Sequence, residues 1–466
     1  MLCLMISAIL VGTLPYISMA KSEAEILEDN IRSREALASV LPPEIVRETV
    51  DGFELHVLCD TEAGEAFGAD NGSPTALSEK AAKRNEHLII ETGVQLSVSV
   101  TEDFVQTARK DILSGEMYYN LYAASVAPSL SALLLSGDLS DVTGSVHIRA
   151  DKDWFDGGTM DKLAVHGKQY LISSATADAR RSAEVVVYDR SAAEQTDLLP
   201  EEERSLAALA LDGEFTLEAM LAASRAAYIA PTEGDALLGG ANATPAFYGF
   251  GYGDEDIFSL YFGVGGNFLT ADAEGFSVAP LATLRTATDS VRQLIGDPSA
   301  VSDADAFAAG NALFAVHKLA EIAALREAVE DIGILPLPKV RKEDAYRSYM
   351  DPAHTTMLAI PNGVAGQDKV EFLISRMAFL SYGYVEPVIK KQIVADNAED
   401  EKILSLIGES VACDMSDLFG YGDIAGLIAD TVHEGDDRLA LEYYNRKTLY
   451  EKALSIIQKR IAVEQE

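Results

Sequence analysis

From residue 52 onward, hydrophobic positions follow two rhythms in alternation. Short apolar runs with strand character are separated by longer segments of helical period. "GFELHVLCD" (52–60) predicts a first strand, and a Gly-, Asn- and Pro-containing loop follows it. "ALSEKAAKRNEHLIIETG" predicts a helix closed by Gly93. "VQLSVSVT" alternates as a second strand, "EDFVQTARKDILSGE" reads as helix, "YYNLYAAS" as a third strand and "PSLSALLLSGD" as helix. The alternation resumes with the strand "SAEVVVYD", the helix "FTLEAMLAASRAAYI", the short strand "PAFYGFG" and the helix "DIFSLYFGVGG". A helix "VAPLATLRTATDSVRQLI", a strand "NALFAVH", a helix "KLAEIAALREAVED" and a strand "IGILPLP" come next. "TTMLAIPNG" predicts a last strand, "DKVEFLISRMAFLSYGYV" a helix, and the tail from about 401 is helical in pattern. Strand and helix in turn predict parallel α/β sheets. The simplest partition is two α/β units, the second embedded in the first.

The stretch "DIGILPLPK" (331–339) breaks its own pattern, because Pro336 and Pro338 interrupt the aliphatic run. Proline donates no ladder hydrogen bond, so this strand is expected at a sheet edge or end, where the chain leaves the second unit. "GFGYG" (249–253) is rich in glycine but lacks the strand–turn–helix spacing and the following lysine of a phosphate cradle, so it reads as a tight loop.

Before residue 52 the picture changes. "MLCLMISAILVGTLPYISMA" is apolar and is followed by a polar, helix-patterned stretch over 21–50. Ser18 and Ala20 fit the small-residue pattern of a signal-peptidase site, with cleavage after Ala20. No Lys or Arg precedes the apolar run, and an uncleaved membrane anchor is the alternative. Export across the membrane, to its extracellular or cell-surface side, is therefore expected. Of the three cysteines, Cys3 would leave with the signal. Cys59 and Cys413 read as two buried free thiols, with a pairing between them as the alternative.

At 466 residues the chain is too long for one hydrophobic core. Its net charge of −37, from 74 acidic and 37 basic side chains, disfavours nucleic acid and anionic lipid as partners. Catalytic signatures are missing: there is no G-x-S-x-G, H-E-x-x-H, C-x-x-C or P-loop pattern. The seven histidines (His56, His87, His147, His166, His317, His354 and His433) show no metal-ligand spacing. Neither an enzyme, nor a metal site, nor a cofactor is expected.

A series of short segments, taken in order, resembles the extracellular solute-binding proteins of bacterial ABC transporters, in the group that includes the maltose- and oligosaccharide-binding proteins. "ETGVQLSV", "LLLSGDLSDVT", "DWFDGG" with "VHGKQYLIS", "VVVYDRS", "DGEFTLEAML", "FAAGNALFAVH" and "DIGILPLPK" carry the resemblance over about 51–425. Two positions depart from the family's pattern: Asp189 stands where Asn is usual and Phe215 where Trp is usual. The resemblance implies the type II periplasmic-binding-protein fold: two Rossmann-like lobes, hinge crossings and a central ligand cleft. By it, residues 1–20 are a signal peptide and 21–50 a helical leader. Lobe one is 51–174 plus 357–385, and lobe two is 175–356 plus 386–466. The implied role is capture of a small solute, a carbohydrate in this group, by a monomer that delivers it to permease subunits. The alternative is a ligand-sensing or degenerate surface module that presents its state to a membrane sensor.

In open α/β sheets, ligands lie beyond the carboxyl ends of strands. Those ends nominate Asp60, Thr61, Ser125, Thr176, Asp178, Tyr252, Asp254, His317 and Lys318 as ligand-binding residues. His317 and Lys318 stand where maltose-binding relatives carry a sugar-stacking aromatic. The bland reading of His317 is a packing or capping residue. Trp154, the single tryptophan, is expected to pack a lobe-one surface. Arg180 and Arg181 at the first crossing read as a solvated hinge face, or as contacts to a charged solute.

Overall fold

A computed structural model describes residues 49–69, 74–165, 167–196, 204–231, 246–272, 275–395, 397–419, 423–435 and 437–463. The expected signal peptide, nearly all of the expected leader and His166 lie outside the described residues. The chain divides into two compact units. The described part of the smaller is 49–53 with 86–95, where Val50 N–H donates to Thr92 O (2.8 Å) and Gln95 N–H to Phe53 O (2.8 Å). The larger unit carries the rest of the chain.

Nine strands build its two main sheets. In chain order they are β1 (Glu54–Cys59), β2 (Gln95–Val100), β3 (Leu121–Ser125), β4 (Glu184–Asp189), β5 (Tyr248–Tyr252), β6 (Ala300–Ser302), β7 (Ala312–Lys318), β8 (Ile332–Leu335) and β9 (Thr356–Ala359). The first sheet has the order β9-β3-β1-β2 and the second β8-β4-β7-β5-β6. β1 and β3 run parallel, as do β5 with β6 and β5 with β7. The expectation of purely parallel sheets fails in a definite way. β9 is antiparallel to β3, and β4 is antiparallel to both β7 and β8. β4 and β9 are the first strands after the two chain crossings. Each enters its sheet from the opposite end to a strand delivered by a helical crossover.

Local chemistry sets the element boundaries. Gly93 adopts φ +74°, which lets it close the helix Ala76–Thr92 in the left-handed region. Thr216 caps the helix Leu217–Ala227 by accepting from Ala219 N–H (3.2 Å), and Asn397 caps Ala398–Ser410 through Glu399 and Asp400 N–H. The helix expected over 318–331 is much shorter, at Ile322–Leu325 after a 3-10 turn. Arg326 turns its guanidinium to Ile393 O (2.7 Å), and the chain must already be extended at Ile332 to enter β8.

β8 takes the edge of its sheet and stops at Leu335, so Pro336 and Pro338 fall beyond the ladder. This is the edge placement expected for that strand. Directly opposite Tyr188 in the register, Gly333 has no room for a side chain: a Cβ there would lie 2.2 Å from the tyrosine ring. The short strand expected at 245–251 is present as β5, and it extends over most of 249–253, where a tight loop was also expected. Gly249 lets the strand lie against Ser224 and Gly251 lets it lie against Ala306, at 2.3 and 2.9 Å from the Cβ each would carry.

The second sheet is dry. Val185, Val186 and Val187 of β4 and Phe250 and Phe314 of its partners are fully buried, as is Phe215 at the helix start beside them. A buried side chain of this size contributes about 1.5–3 kcal/mol. Cys59 and Cys413 are buried free thiols, as expected, and burial pushes both thiol pKa values upward.

Candidate functional site

The nine nominated residues fall into separate sets. At the ends of β1 and β3, Asp60 and Ser125 bond each other: Asp60 Oδ2 accepts from Ser125 N–H (2.6 Å) and Ser125 Oγ–H (2.7 Å). The other oxygen, Oδ1, accepts from Ala63 N–H (2.9 Å), so the buried carboxylate is occupied by its own lobe. Thr61, next along, is exposed. Thr176 is buried with its hydroxyl on Ser381 Oγ (3.0 Å), which in turn accepts from the buried Arg84 (3.0 Å). Asp178 grips Arg180 with both oxygens (2.8 and 2.9 Å).

In the second sheet, Tyr252 is buried, while Asp254 is exposed and pairs with His433 (3.1 Å). His317 Nδ1 meets Glu321 (3.2 Å), and its Nε2 is buried without a partner among the described residues. Lys318 reaches Asp351 (3.2 Å) and His354 (3.1 Å). Beneath them, burial raises the Glu184 carboxyl to about 8 and the Asp256 carboxyl to about 7. Trp154 packs edge-on against Phe379 (5.1 Å), as a surface-packing tryptophan should.

A seam joins the two chain crossings. Val126 N–H, just past β3, donates to Thr355 O (2.8 Å), and Ala127 N–H to Pro352 O (2.9 Å). Thr355 Oγ1 bonds the Ser182 hydroxyl. Leu319 N–H, just past β7, donates to Ala183 O (3.0 Å). The end of β3 is thus tied to 352–355 and the end of β7 to Ala183, and the Ser182–Thr355 hydroxyl contact joins the two stretches.

Beside this seam lies a cavity of about 550 Å3. Its walls come from Phe155–Gly158, from the crossing residues Asp178, Arg180 and Arg181, from Leu319, and from the helices Glu386–Val394 and Ala398–Ser410. Of the nine nominated residues, Asp178 lines it. Asp156 caps the helix Gly157–Lys162 with Oδ1 (3.1 Å from Thr159 N). Gly408 leaves space for the Arg180 stem, whose Cδ would lie 3.4 Å from a Cβ there.

The electrostatics of the wall are uneven. Arg180 is forked on Asp178, lies 3.9 Å from Glu386 and feels the Asp156 charge; the Asp178 carboxylate pushes its pKa further up. Burial pulls the Asp156 and Glu386 carboxyls above the usual range. Three buried polar atoms of wall residues have no hydrogen-bond partner among the described residues: Asp156 Oδ2, Glu386 Oε2 and Arg181 Nε. A buried polar atom left unpaired costs about 1–3 kcal/mol. Among the described residues, no group of three or more His, Cys, Asp and Glu is placed to hold a metal ion. No described helix is long and apolar enough to cross a membrane.

Sequence reasoning weighed Arg180 and Arg181 but passed over Asp156 and Glu386. Asp156 carried a usable signal: "DGGT" is an N-cap aspartate before two glycines, which marks a helix start open on one side. Glu386 carried none, because its place depends on how the C-terminal helices fold back to the crossing.

No protein-family model matches the chain, and no curated protein matches it. Solved structures do match its fold. The GacH receptor of Streptomyces glaucescens GLA.O, solved unliganded and with acarbose, aligns with a TM-score of 0.54 at 12% identity, over 86% of this chain and 99% of its own. A cyclo/maltodextrin-binding protein complexed with maltotetraose aligns at 0.55 and 12%, over 88% and 97%. UgpB from Mycobacterium tuberculosis, in complex with glycerophosphocholine, aligns at 0.53 and 16%, over 88% and 99%. At these identities the likeness establishes the architecture: the chain has the type II periplasmic-binding-protein fold, the scaffold of solute-binding proteins.

Proposed function

We propose that the chain is an exported solute-binding protein that takes a small carbohydrate into the cavity at its chain crossings and delivers it to the permease of an ABC transporter. It does so without catalysis and as a monomer. On this reading residues 1–20 direct export, lobe one is 51–174 with 357–385, and lobe two is 175–356 with 386–466. The observation that carries it is the cavity of about 550 Å3 beside the seam that joins the chain crossings, with Asp178, Arg180, Arg181 and Glu386 in its wall. That volume falls in the range of small-molecule sites. Walls that mix Phe155, Ile389, Ile393 and Leu404 with acceptors and a donor suit the apolar C–H faces and hydroxyls of a sugar. The printed ligands of two neighbours, maltotetraose and acarbose, agree with this class. Asp60, Ser125, Thr176, His317 and Lys318 then serve to hold the seam and strand ends that frame the cavity, and Asp178 orients Arg180 within it.

Thermal unfolding against a panel of mono- and disaccharides, polyols and peptides tests the reading. A solute present at a hundred times its Kd should add about 2.7 kcal/mol of stability and raise the melting temperature. A panel in which peptides shift the transition and no sugar or polyol does would overturn it.

A further inference from the structure

Lys318, Asp351 and His354 meet in a contact that cannot be satisfied at every point at once. Asp351 Oδ2 lies 3.2 Å from Lys318 Nζ and 2.5 Å from His354 Nδ1. Lys318 Nζ is also 3.1 Å from the same Nδ1. That nitrogen accepts from the ammonium only when it carries a lone pair, and donates to the carboxylate only when it carries a proton. Neutral His354 in its Nε2–H form leaves Asp351 to Lys318, and the ammonium serves both. Protonated His354 donates to Asp351 and sets a second cation 3.1 Å from the first. The protonation of one imidazole thus decides which residue holds Asp351.

The place of this contact gives it leverage. Lys318 ends β7, and Asp351 opens the turn that leads into β9. Asp351 Oδ1 accepts from Ala353 N–H and its carbonyl oxygen from the Thr355 hydroxyl, so the carboxylate moves with that turn. The same turn receives the end of β3 through Pro352 O and Thr355 O. The Lys318 and Asp351 side chains are only 21% and 20% exposed, which keeps their attraction from full screening by water, whereas His354 is open to solvent.

We propose that the Lys318–Asp351 pair is a latch between the end of β7 and the turn before β9, and that His354 is its pH-sensitive release. With His354 neutral the latch is closed. With His354 protonated, Asp351 is drawn back onto its own turn and Lys318 is let go. Histidine is the side chain whose charge changes between about pH 5 and 8. Other ionisable groups face the latch: Glu184, opposite Lys318 in the β4–β7 register, with Asp256, His317 and Glu321 on that side, and Asp417 with Tyr349 on the Asp351 side. Burial pushes the Glu184, Asp256 and Asp417 carboxyls up to about 8, about 7 and about 8. Acidification therefore adds stability through these three, which is the opposite sign to release of the latch.

The test needs no solute. Backbone hydrogen exchange of the full chain is followed by mass spectrometry at about pH 7.5 and about pH 5.5, on either side of histidine titration, with each rate corrected for intrinsic exchange at that pH. On acidification, peptides over 314–319 and 351–356 should lose about threefold in protection relative to a peptide over 248–252, the order expected from the loss of one ion pair. His354→Gln cannot take the charge and should abolish the loss. Lys318→Met has no latch to open and should show the lower protection at both pH values. Equal protection at the two pH values in the parent overturns the proposal. A loss of parental size that persists in His354→Gln or in Lys318→Met also overturns it, and assigns the titration to His317 or to the buried carboxyls. If either variant fails to fold, the other decides.

Discussion

Asp60 separates a ligand contact from a structural fastener, because the two roles predict opposite results for one substitution. Its carboxylate takes three hydrogen bonds from the end of β3 and the turn after β1, two of them from the main-chain N–H groups of Ser125 and Ala63. Both donors belong to buried residues, so in Asp60→Ala neither gains water as a replacement. At about 1–3 kcal/mol for each stranded donor, and with the Ser125 hydroxyl also released, the loss sums to about 3–5 kcal/mol. Trp154 is the single tryptophan and packs on Phe379, so its fluorescence follows unfolding in urea. With a urea slope of about 2 kcal/mol/M, the midpoint should fall by about 1.5–2.5 M. Asp60→Asn keeps one acceptor oxygen and should lose about half as much. A midpoint within about 0.3 M of the parent, with a large loss of solute affinity, would refute the fastener role and return Asp60 to the binding site.

Three further outcomes are expected. Glu184 is held neutral by burial, with a folded pKa of about 8 against an ordinary value of 4.5. Its stabilising contribution is complete below 4.5 and is lost as pH rises from there through 8, so Glu184→Gln should gain more stability relative to the parent at pH 8.5 than at pH 5.5, read by urea melts at the two values. Gly333→Ala forces a methyl group onto the Tyr188 ring and should destabilise by about 1–3 kcal/mol, lowering the thermal midpoint; no loss would contradict the described β4–β8 contact. Cys59 and Cys413 should resist a thiol reagent in the native protein and label after denaturation, followed by peptide mass spectrometry.

The sequence makes strands such as "EVVVYD" and "ALFAVHK" legible because they are short apolar runs that their sheet buries on both faces. Strand direction is not legible in the same way. Nothing in the composition of β4 distinguishes a strand reached by a chain crossing from one reached over a helix. Glycine misled the reading at 249–253, where it marks close approach of a helix and a turn to β5 rather than a loop. The periodic stretch 318–331 stops short as a helix because Arg326 finds a partner in Ile393 O, 67 residues away. The site was sought at strand ends, which is where the sheets converge, and Asp178 was found there. Asp156 and Glu386 reach the same cavity from a helix start and from the C-terminal region, 230 positions apart (386 less 156). A pattern read along the chain has no access to that pairing.

The order of strands also dictates a schedule of assembly. The fully buried strand β3 receives its outer neighbour, β9, from residues 356–359, after all five strands of the other sheet have been made. Until that segment emerges, an apolar strand has one open edge. The inserted sheet, complete by residue 335, can fold in the meantime. A ribosome adding about 5–20 residues per second leaves that edge bare for the time needed to make more than two hundred residues, roughly ten seconds or longer. Chains stalled or cut before residue 356 would therefore present a sticky strand to one another. The interval over which that edge stays open is written into the topology, before any question of what the protein binds.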